Sequence, residues 1–317
     1  QEVPEQRWDL KQFYHPDPMH PGTSYCKWMG VIEDADCFDP GFFNITPLEA
    51  ELMDPQQRLF LQHAWHAIED SGQDPFALAG ECCAVYAAAG DSGYAHRISE
   101  HNAYSLSGSS GSILAARIAY LLDLRGPSLS IDTACSSSLV AIITACDSLL
   151  AGNCDMALAG GVSVLASPDM HVDTSKVSML SRDGRCFTFD QRANGFVPGE
   201  GIGGVYLKRL SDAHRDGDQV RAGSRGWCTN QDGRTNGITA PNPQAQTDLL
   251  QGVYARAGIA AESIDLIECH GTATPLGDPI EVEGLTGAFD GAGDRTEPVA
   301  LGSVKSNVGH LLAAAGV

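Results

Sequence analysis

Short apolar runs and longer helical segments alternate along this chain. The runs at 128–131, 156–165, 205–207, 264–267 and 299–304 have the length and aliphatic content of buried strands, and we expect the Gly-Gly pair in the second run to interrupt it. Segments with helical spacing lie between them. Strands that alternate with helices predict an α/β architecture.

Two of the helices are predicted most clearly. One begins at the run DPQQ (54–57), where aspartate precedes a proline and glutamine follows three residues later, as in a capping box. Apolar residues within 61–68 mark one face of this helix, and Gly72 ends it. The other helix, 139–150, is apolar on nearly every side, so we expect it in the interior.

Composition excludes several classes of protein. The 317 residues include 40 acidic and 20 basic side chains, a formal net charge of -20, so neither nucleic acid nor a membrane surface is an expected partner. The ten cysteines are scattered without a C-x-x-C pair, which predicts reduced thiols and no metal site. With no signal peptide or long apolar span, the chain is predicted to be cytoplasmic. The first 50 residues, rich in aromatics and proline, predict an irregular wrapping segment.

Three potentially reactive side chains each follow a predicted strand. Cys135 lies between the strand at 128–131 and the helix at 139–150, so its thiol is expected at a helix N-terminus, where the dipole favours thiolate. His270 and His310 follow the strands at 264–267 and 299–304. Open α/β sheets place their ligands at such positions, so these residues predict a nucleophile faced by two imidazoles.

Three ordered motifs carry a resemblance to a known family. The runs DTACSSS (132–138), HGTATP (270–275) and KSNVGH (305–310) resemble the three signatures of β-ketoacyl synthases. The likeness is greatest to the ketosynthase domains of type I polyketide synthases. It extends to DPQQR (54–58) and NQDGRTNG (230–237).

The resemblance implies a thiolase-like fold of α/β/α/β/α layers, built from two related halves and usually dimeric. Residues 1–210 would form the N-terminal half with its lead-in segment, and residues 211–317 an incomplete C-terminal half. The chain opens without methionine and stops within an apolar stretch, so we expect a piece truncated at both ends. Absent from it would be the family's first strand and a C-terminal glycine-rich turn, whose phenylalanine guards the acyl pocket and completes the oxyanion hole.

The resemblance also implies a reaction in two stages. Cys135 would accept an acyl chain from the 4'-phosphopantetheine arm of an acyl carrier protein, and a malonyl extender would then lose carbon dioxide and attack the thioester. Imidazole N–H groups of His270 and His310 would stabilise the charge that decarboxylation places on the extender's carbonyl oxygen. No cofactor would be bound by the chain itself. Its partners would be the carrier protein and neighbouring polyketide synthase domains.

Four further residues are assigned supporting roles by the same resemblance. Lys305 would pair with a carboxylate, for which Glu281 is the candidate, while Thr272 and Thr274 would hydrogen-bond the pantetheine arm. Each has a structural alternative, since Glu281 also fits a capping box and the threonines also suit a turn. The family usually has glycine where Ala273 stands, a change that would tighten the channel for the arm.

Other functions stay open from the sequence. A ketosynthase that passes acyl chains along without elongation would show loss of one histidine, and a dimerisation module would have a vestigial site. A papain-like hydrolase would need a different sequence around its cysteine. The run GEGIGG (199–204) matches the glycine pattern of dinucleotide sites, but it precedes a strand instead of following one, so we reject that interpretation.

Overall fold

Strands and helices alternate in the computed structural model, which describes residues 1–99, 102–290 and 298–317. The strands are β1 (Cys83–Ala88), β2 (Ser128–Ile131), β3 (Met156–Ser163), β4 (Gly201–Lys208), β5 (Leu266–Glu268) and β6 (Ala300–Gly302). The helices are α1 (Leu10–Phe13), α2 (Pro47–Leu52), α3 (Pro55–Asp70), α4 (Ser105–Ser109), α5 (Ile113–Leu121), α6 (Ser137–Leu150), α7 (Asp169–Lys176), α8 (Leu210–Asp216), α9 (Pro243–Ala257), α10 (Gly277–Phe289) and α11 (Lys305–Val308).

The strands form two sheets. The larger has the order β2-β1-β3-β4, with β1 parallel to β2 and β3, and with β4 antiparallel to β3. The smaller pairs β5 with β6 in parallel. This arrangement confirms the predicted α/β class.

The glycine pair in β3 does not interrupt the strand, contrary to the prediction. Gly160 and Gly161 are paired with β1 on one side and with β4 on the other. A Cβ on Gly160 would lie 2.2 Å from the carbonyl oxygen of Gly203, so glycine is required here by close approach of the neighbouring strand.

Helix α3 begins and ends as predicted, but its N-terminus is not a capping box. The Asp54 carboxylate accepts the N–H of Gln56, and Gly72 adopts a positive φ of 82° after the last turn. Gln57 turns away from the helix start and donates to the carbonyls of Ser107 and Gly108. Its side chain thereby ties α3 to α4.

Helices cover both faces of the larger sheet. On one face α3 and α5 pack against alternate residues of the strands, including Val85 and Leu158. On the other face α6 packs against the intervening residues, including Tyr86 and Ala157. Helix α6 is less enclosed than predicted, because Leu139 is 48% exposed in this chain.

The ends of the chain complete the scaffold around this sheet. The first 50 residues are largely irregular, as predicted, and bury Val3, Trp8 and Met29 beside Leu165. In the second half α9 and α10 pack together, and the 3₁₀ turn Leu312–Ala314 packs against α6. No helix in the described ranges has the length and apolarity needed to span a membrane.

Candidate active site

Cys135 lies in a tight turn between β2 and α6. Ala134 has a positive φ of 56°, and Cys135 is the middle residue of a 3₁₀ turn that leads directly into the helix. The turn is closed by its own side chains. Asp132 Oδ1 accepts the Ala134 N–H at 3.0 Å, and Ser137 Oγ accepts the Thr133 N–H at 2.8 Å and donates to the Ala134 carbonyl at 2.6 Å. The thiol is thereby presented at the start of α6.

His310 is buried and lies directly against the thiol. Its backbone N–H donates to the Val197 carbonyl and its carbonyl accepts the Gly199 N–H, both at 2.8 Å. Ring atom Nδ1 accepts the Leu312 N–H at 3.2 Å, so the neutral ring carries its proton on Nε2. Nε2 lies 3.1 Å from the Sγ atom of Cys135.

His270 is positioned by a carboxylate on α10. Glu281 accepts the backbone N–H of His270 on Oε1 at 2.6 Å and that of Gly271 on Oε2 at 2.7 Å. The His270 and His310 rings lie edge to face, with centroids 5.3 Å apart. The Sγ of Cys135 and a nitrogen of each ring all lie within 4.8 Å of one another. The fold therefore brings together three side chains that are far apart in sequence.

The expected salt bridge between Lys305 and Glu281 is not formed in the described part of the chain. Both oxygens of Glu281 are occupied by the His270 turn, and its charge acts on Lys305 only through space. Burial lowers the pKa of Lys305, while the carboxylates of Glu268 and then Glu281 raise it. The alternative interpretation of Glu281 as part of a capping box is also wrong. Its carboxylate accepts the backbone N–H groups of the His270 turn and does not cap the start of α10.

Both imidazoles are neutral at pH 7. Desolvation by the surrounding protein and, to a smaller extent, the charge of Lys305 lower the pKa of His270 to about 4, although the residue keeps an exposed side. Burial, with the nearby His270 and Lys305, lowers the pKa of His310 well below its ordinary value. The rings can therefore act as N–H donors without carrying charge.

The thiol of Cys135 is not a resting thiolate, contrary to the prediction from its place at a helix start. Burial raises its pKa, and the positive charge of Lys305 and the residue's own backbone N–H only oppose that rise. Desolvation therefore outweighs the local helix terminus.

The two threonines lie in the same turn as His270. Their hydroxyl oxygens are 3.3 Å apart, and Thr274 Oγ1 also accepts the Gly277 N–H at 3.0 Å. Both side chains therefore form hydrogen bonds within the turn, which is the structural alternative that the sequence offered for them. Between them Ala273 is buried with a positive φ of 60°, a conformation that favours glycine. This explains the glycine usual in the resembled family.

Two residues near the site were missed from the sequence. Glu268 is the main carboxylate acting on Lys305, and its Oε1 accepts the Val304 N–H at 2.7 Å. Its place directly before Cys269 and His270, at the end of a strand, was an available signal. The ring of Phe196 packs edge-on against His310 with centroids 5.1 Å apart, and no sequence pattern indicated it.

Comparison with known proteins identifies the class to which this fold and site belong. The family model "Beta-ketoacyl synthase, N-terminal domain" matches residues 1–213, and "Beta-ketoacyl synthase, C-terminal domain" matches residues 221–317. The chain therefore belongs to the β-ketoacyl synthase family. Within that family it is a ketosynthase domain of the polyketide synthase type, as its relatives show.

Two curated relatives illustrate the relationship. A phenolphthiocerol/phthiocerol polyketide synthase polypeptide of Mycobacterium tuberculosis is 50% identical over 319 residues, covering 99% of this chain and 20% of that protein. Polyketide synthase PksL of Bacillus subtilis is 48% identical over 316 residues, covering 100% of this chain and 7% of that protein. The chain thus spans a fifth or less of the length of these two relatives.

Solved structures confirm the thiolase-like fold of ketosynthases. The ketosynthase from module 6 of the bacillaene synthase from Bacillus subtilis 168, a C167S mutant, superposes with a TM-score of 0.91 at 46% identity. The oxazolomycin ketosynthase domain OzmH KS7 of Streptomyces albus JA3453 gives 0.94 at 42% identity. Each match covers all of this chain and about half of the solved chain, 54% and 55% respectively.

Proposed function

We propose that this chain is a catalytic ketosynthase domain that condenses an acyl group held on Cys135 with a malonyl extender carried by an acyl carrier protein. The observation that carries the proposal is the contact of 3.1 Å between His310 Nε2 and Cys135 Sγ, with the His270 ring beside it. One nucleophile faced by two neutral N–H donors suits a reaction that forms a thioester and then an enolate next to it.

In the first stage the acyl chain is transferred to the enzyme. The Cys135 sulfur attacks the carbonyl carbon of the acyl-carrier thioester, and the bond from that carbon to the carrier's pantetheine sulfur breaks. The proton lost by Cys135 ends on the departing thiolate. Lys305 supports this stage, because its positive charge opposes the rise in the thiol pKa that burial causes.

In the second stage the new carbon–carbon bond forms. Malonyl-carrier loses carbon dioxide, and the electron pair left behind is delocalised onto the extender's thioester oxygen. His270 and His310 donate hydrogen bonds to that oxygen. The carbanion then attacks the carbonyl carbon of the Cys135 thioester, the bond from that carbon to Cys135 Sγ breaks, and the Cys135 thiolate takes up a proton from water. Because both rings are neutral at pH 7, they serve as donors throughout.

The pantetheine arm would run beside Thr272 and Thr274. Both hydroxyls belong to the turn that carries His270, so an arm bound there would deliver its thioester to the imidazoles. Their mutual contact leaves donor and acceptor capacity for an amide of the arm. No cofactor resident in the domain is needed for either stage.

Docking of an acidic carrier needs a local positive surface on a chain of net charge -20. Exposed Arg182 and Arg185 lie on the loop at 181–194. In the same loop Thr188 Oγ1 donates to the Gly271 carbonyl at 2.8 Å, which places the loop against the His270 turn. These arginines support a carrier-binding surface close to the site.

We also propose a homodimer that works beside other polyketide synthase domains in the cytoplasm. In the described residues β2 is paired on one side only, and its Leu129 is 50% exposed. Leu106 and Tyr120 nearby in the sequence are also exposed. An unpaired strand edge and exposed apolar side chains favour pairing with a second copy. Ten cysteines without a disulfide agree with a reducing compartment.

Acylation and decarboxylation, measured separately, test this proposal. In the full native polypeptide, acyl-carrier thioester should add one acyl group, detected by intact mass, and malonyl-carrier should then release carbon dioxide with chain extension. Cys135→Ala should abolish acylation, while Cys146→Ala, on the helix that follows Cys135 but away from the histidines, should retain it. Acylation without extension would indicate a transacylase, and no acylation would indicate a structural module; either result would overturn the proposal.

A further inference from the structure

The segment that holds His310 in place is itself held on its other side. Backbone atoms of residues 197–199 bond to His310, as described above, while the Pro198 carbonyl accepts the Gly30 N–H at 2.9 Å and the Glu200 N–H donates to the Gly30 carbonyl at 3.0 Å. Three extended stretches therefore lie side by side, with residues 197–200 in the middle. Movement of this middle stretch would move the backbone of His310.

Close packing makes the arrangement intolerant of displacement. A Cβ on Gly30 would lie 2.3 Å from the carbonyl oxygen of Val308, and one on Gly199 would lie 2.8 Å from the same oxygen. The turn before His310 thus rests directly on the backbone of both neighbours. A small shift of the middle stretch cannot be absorbed by flexible side chains at these contacts.

A single buried carboxylate fixes the end of the middle stretch. Glu200 Oε1 accepts Arg7 Nε at 2.8 Å and the Leu165 N–H at 3.0 Å, and Oε2 accepts Arg7 Nη2 at 2.8 Å and the Ile32 N–H at 3.0 Å. The Glu200 side chain has no solvent exposure. One residue thereby joins the N-terminal segment, the stretch after Gly30 and the chain that leaves β3.

We infer that Glu200, with Arg7, is a positioning pair that holds His310 in register with Cys135. The inference rests on the proposed function and deepens it, since the reaction needs the His310 N–H at a defined place. Displacements on the order of 1 Å, caused far from the chemistry, can lower a rate about 100-fold. Acylation depends less on this register, because Cys135 is set by its own turn.

The sharpest variant is Glu200→Gln. Glutamine keeps the shape of the side chain, but its amide nitrogen replaces one carboxylate oxygen and presents N–H donors to the two donors that bonded to that oxygen. At least one of those partners must turn away, and Arg7 loses its counter-charge. The middle stretch should therefore shift while the rest of the fold persists.

A second ion pair with a buried arginine provides a control. Glu49 Oε1 accepts Arg117 Nη1 at 2.7 Å and joins α2 to α5. The Arg117 side chain is as well buried as that of Arg7, whereas the Glu49 side chain is 22% exposed and that of Glu200 is not exposed. Glu49→Gln therefore removes the counter-charge of a buried arginine without touching the stretches around His310. If Glu200 only stabilised the fold, the ratio of the two catalytic rates should respond alike in both variants.

The test compares two rates in the full native polypeptide, at a temperature well below the lower of the two variant Tm values. For Glu200→Gln we expect malonyl-carrier decarboxylation to fall on the order of 10-fold more than acylation of Cys135. For Glu49→Gln the ratio of the two rates should stay at the wild-type value. Arg7→Lys keeps one positive donor, so its ratio of decarboxylation to acylation should lie closer to the wild-type value than that of Arg7→Ala. If Glu200→Gln does not fold, the comparison of these two Arg7 variants replaces it.

Three results would overturn the inference. An unchanged ratio in Glu200→Gln would contradict the positioning role alone, as would an equal change of ratio in Glu49→Gln. A wild-type protein that acylates Cys135 but never decarboxylates malonyl-carrier would instead contradict the proposed function, and the positioning role with it.

Discussion

The nucleophile and the two imidazoles of this site are held in different ways. Cys135 is set by contacts within residues 132–137, where the side chains of Asp132 and Ser137 bond backbone groups two to four residues away. His310 is set by backbone bonds to residues more than 100 positions earlier, and His270 by Glu281, 11 residues later on a separate helix. One half of the site is therefore held within a single turn, and the other half is an assembly of separate elements, which for His310 are distant in sequence.

This difference indicates where each half is vulnerable. A change to one side chain of a local turn disturbs the geometry of that turn and hardly affects the geometry of neighbouring turns. An assembly of distant segments transmits a change at any of its anchors to the catalytic ring. We therefore expect variants at the anchors of the histidines to have the larger effects.

The largest effect is expected for Glu281→Ala. This variant removes the only acceptor recorded for the backbone N–H groups of His270 and Gly271 in the described residues, and charged acceptors of this kind contribute about 1.5–3 kcal/mol each. The His270 turn should loosen, and the malonyl decarboxylation rate should fall on the order of 100-fold. Stopped assays of carbon dioxide release at saturating malonyl-carrier would measure it.

A neighbouring glutamate provides the control for Glu281→Ala. Glu283→Ala, an exposed position on the same helix, should leave the rate within about twofold of wild type.

Ser137→Ala removes two hydrogen bonds of the Cys135 turn and should slow acylation by about tenfold, with less effect on decarboxylation. A Ser137→Ala variant that damaged decarboxylation more than Glu281→Ala would invert the comparison.

A smaller and distinctive effect is expected from pH. The pKa of Cys135 is raised, so the acylation rate should climb about tenfold per pH unit throughout the neutral range, as the thiolate fraction does. The pKa of His270 is about 4 and that of His310 lies well below its ordinary value, so decarboxylation should be flat from about pH 5.5 upward. Measurement of both stages across pH 5.5–8 would separate the two halves of the site, and parallel profiles would contradict the assignment.

The lowered pKa values of the same two histidines determine the direction in which the free energy of unfolding changes with pH. Below pH of about 6.5 the unfolded chain binds protons on these rings, whereas the folded protein keeps the rings neutral. The free energy of unfolding should therefore be highest above that pH and fall as the pH drops towards 4. Buried His171, whose pKa burial lowers to about 4, acts in the same direction. Below about pH 6.5 the activity profiles therefore need a parallel measurement that the protein is still folded, such as circular dichroism.

The local half of the site was largely predictable from sequence. The strand at 128–131, the turn at Cys135 and the helix after it follow from punctuation by glycine, proline and hydroxyl residues within a dozen positions. The helix that begins after Asp54 was predictable for the same reason. In both places the signal lies within the element itself.

The distant half was predictable only in outline. Placing His270 and His310 past strands indicated a shared edge of the sheet, but not the Glu281 cap or the packing of Phe196, because these depend on which segments meet. The pKa of Cys135 was predicted with the wrong sign, since burial by other segments outweighs the helix start that the sequence shows. The prediction that the Gly-Gly pair interrupts β3 was wrong for a related reason, because glycine is required there by the close approach of the neighbouring strand.

The smallest effects are expected at two alanines in the left-handed region, one in each half. Ala134 before Cys135 is exposed with φ of 56°, and Ala273 after His270 is buried with φ of 60°. Glycine relieves about 1–2 kcal/mol of strain at either position and loses about 0.5–1 kcal/mol to the greater entropy of the unfolded chain. At Ala273 it also removes a buried methyl worth about 0.8 kcal/mol. Urea unfolding should therefore show Ala134→Gly up to about 1.5 kcal/mol more stable than wild type, and Ala273→Gly close to wild type. Greater stabilisation by Ala273→Gly would mean that the buried methyl contributes no packing, so that the histidine turn is held by its hydrogen bonds alone.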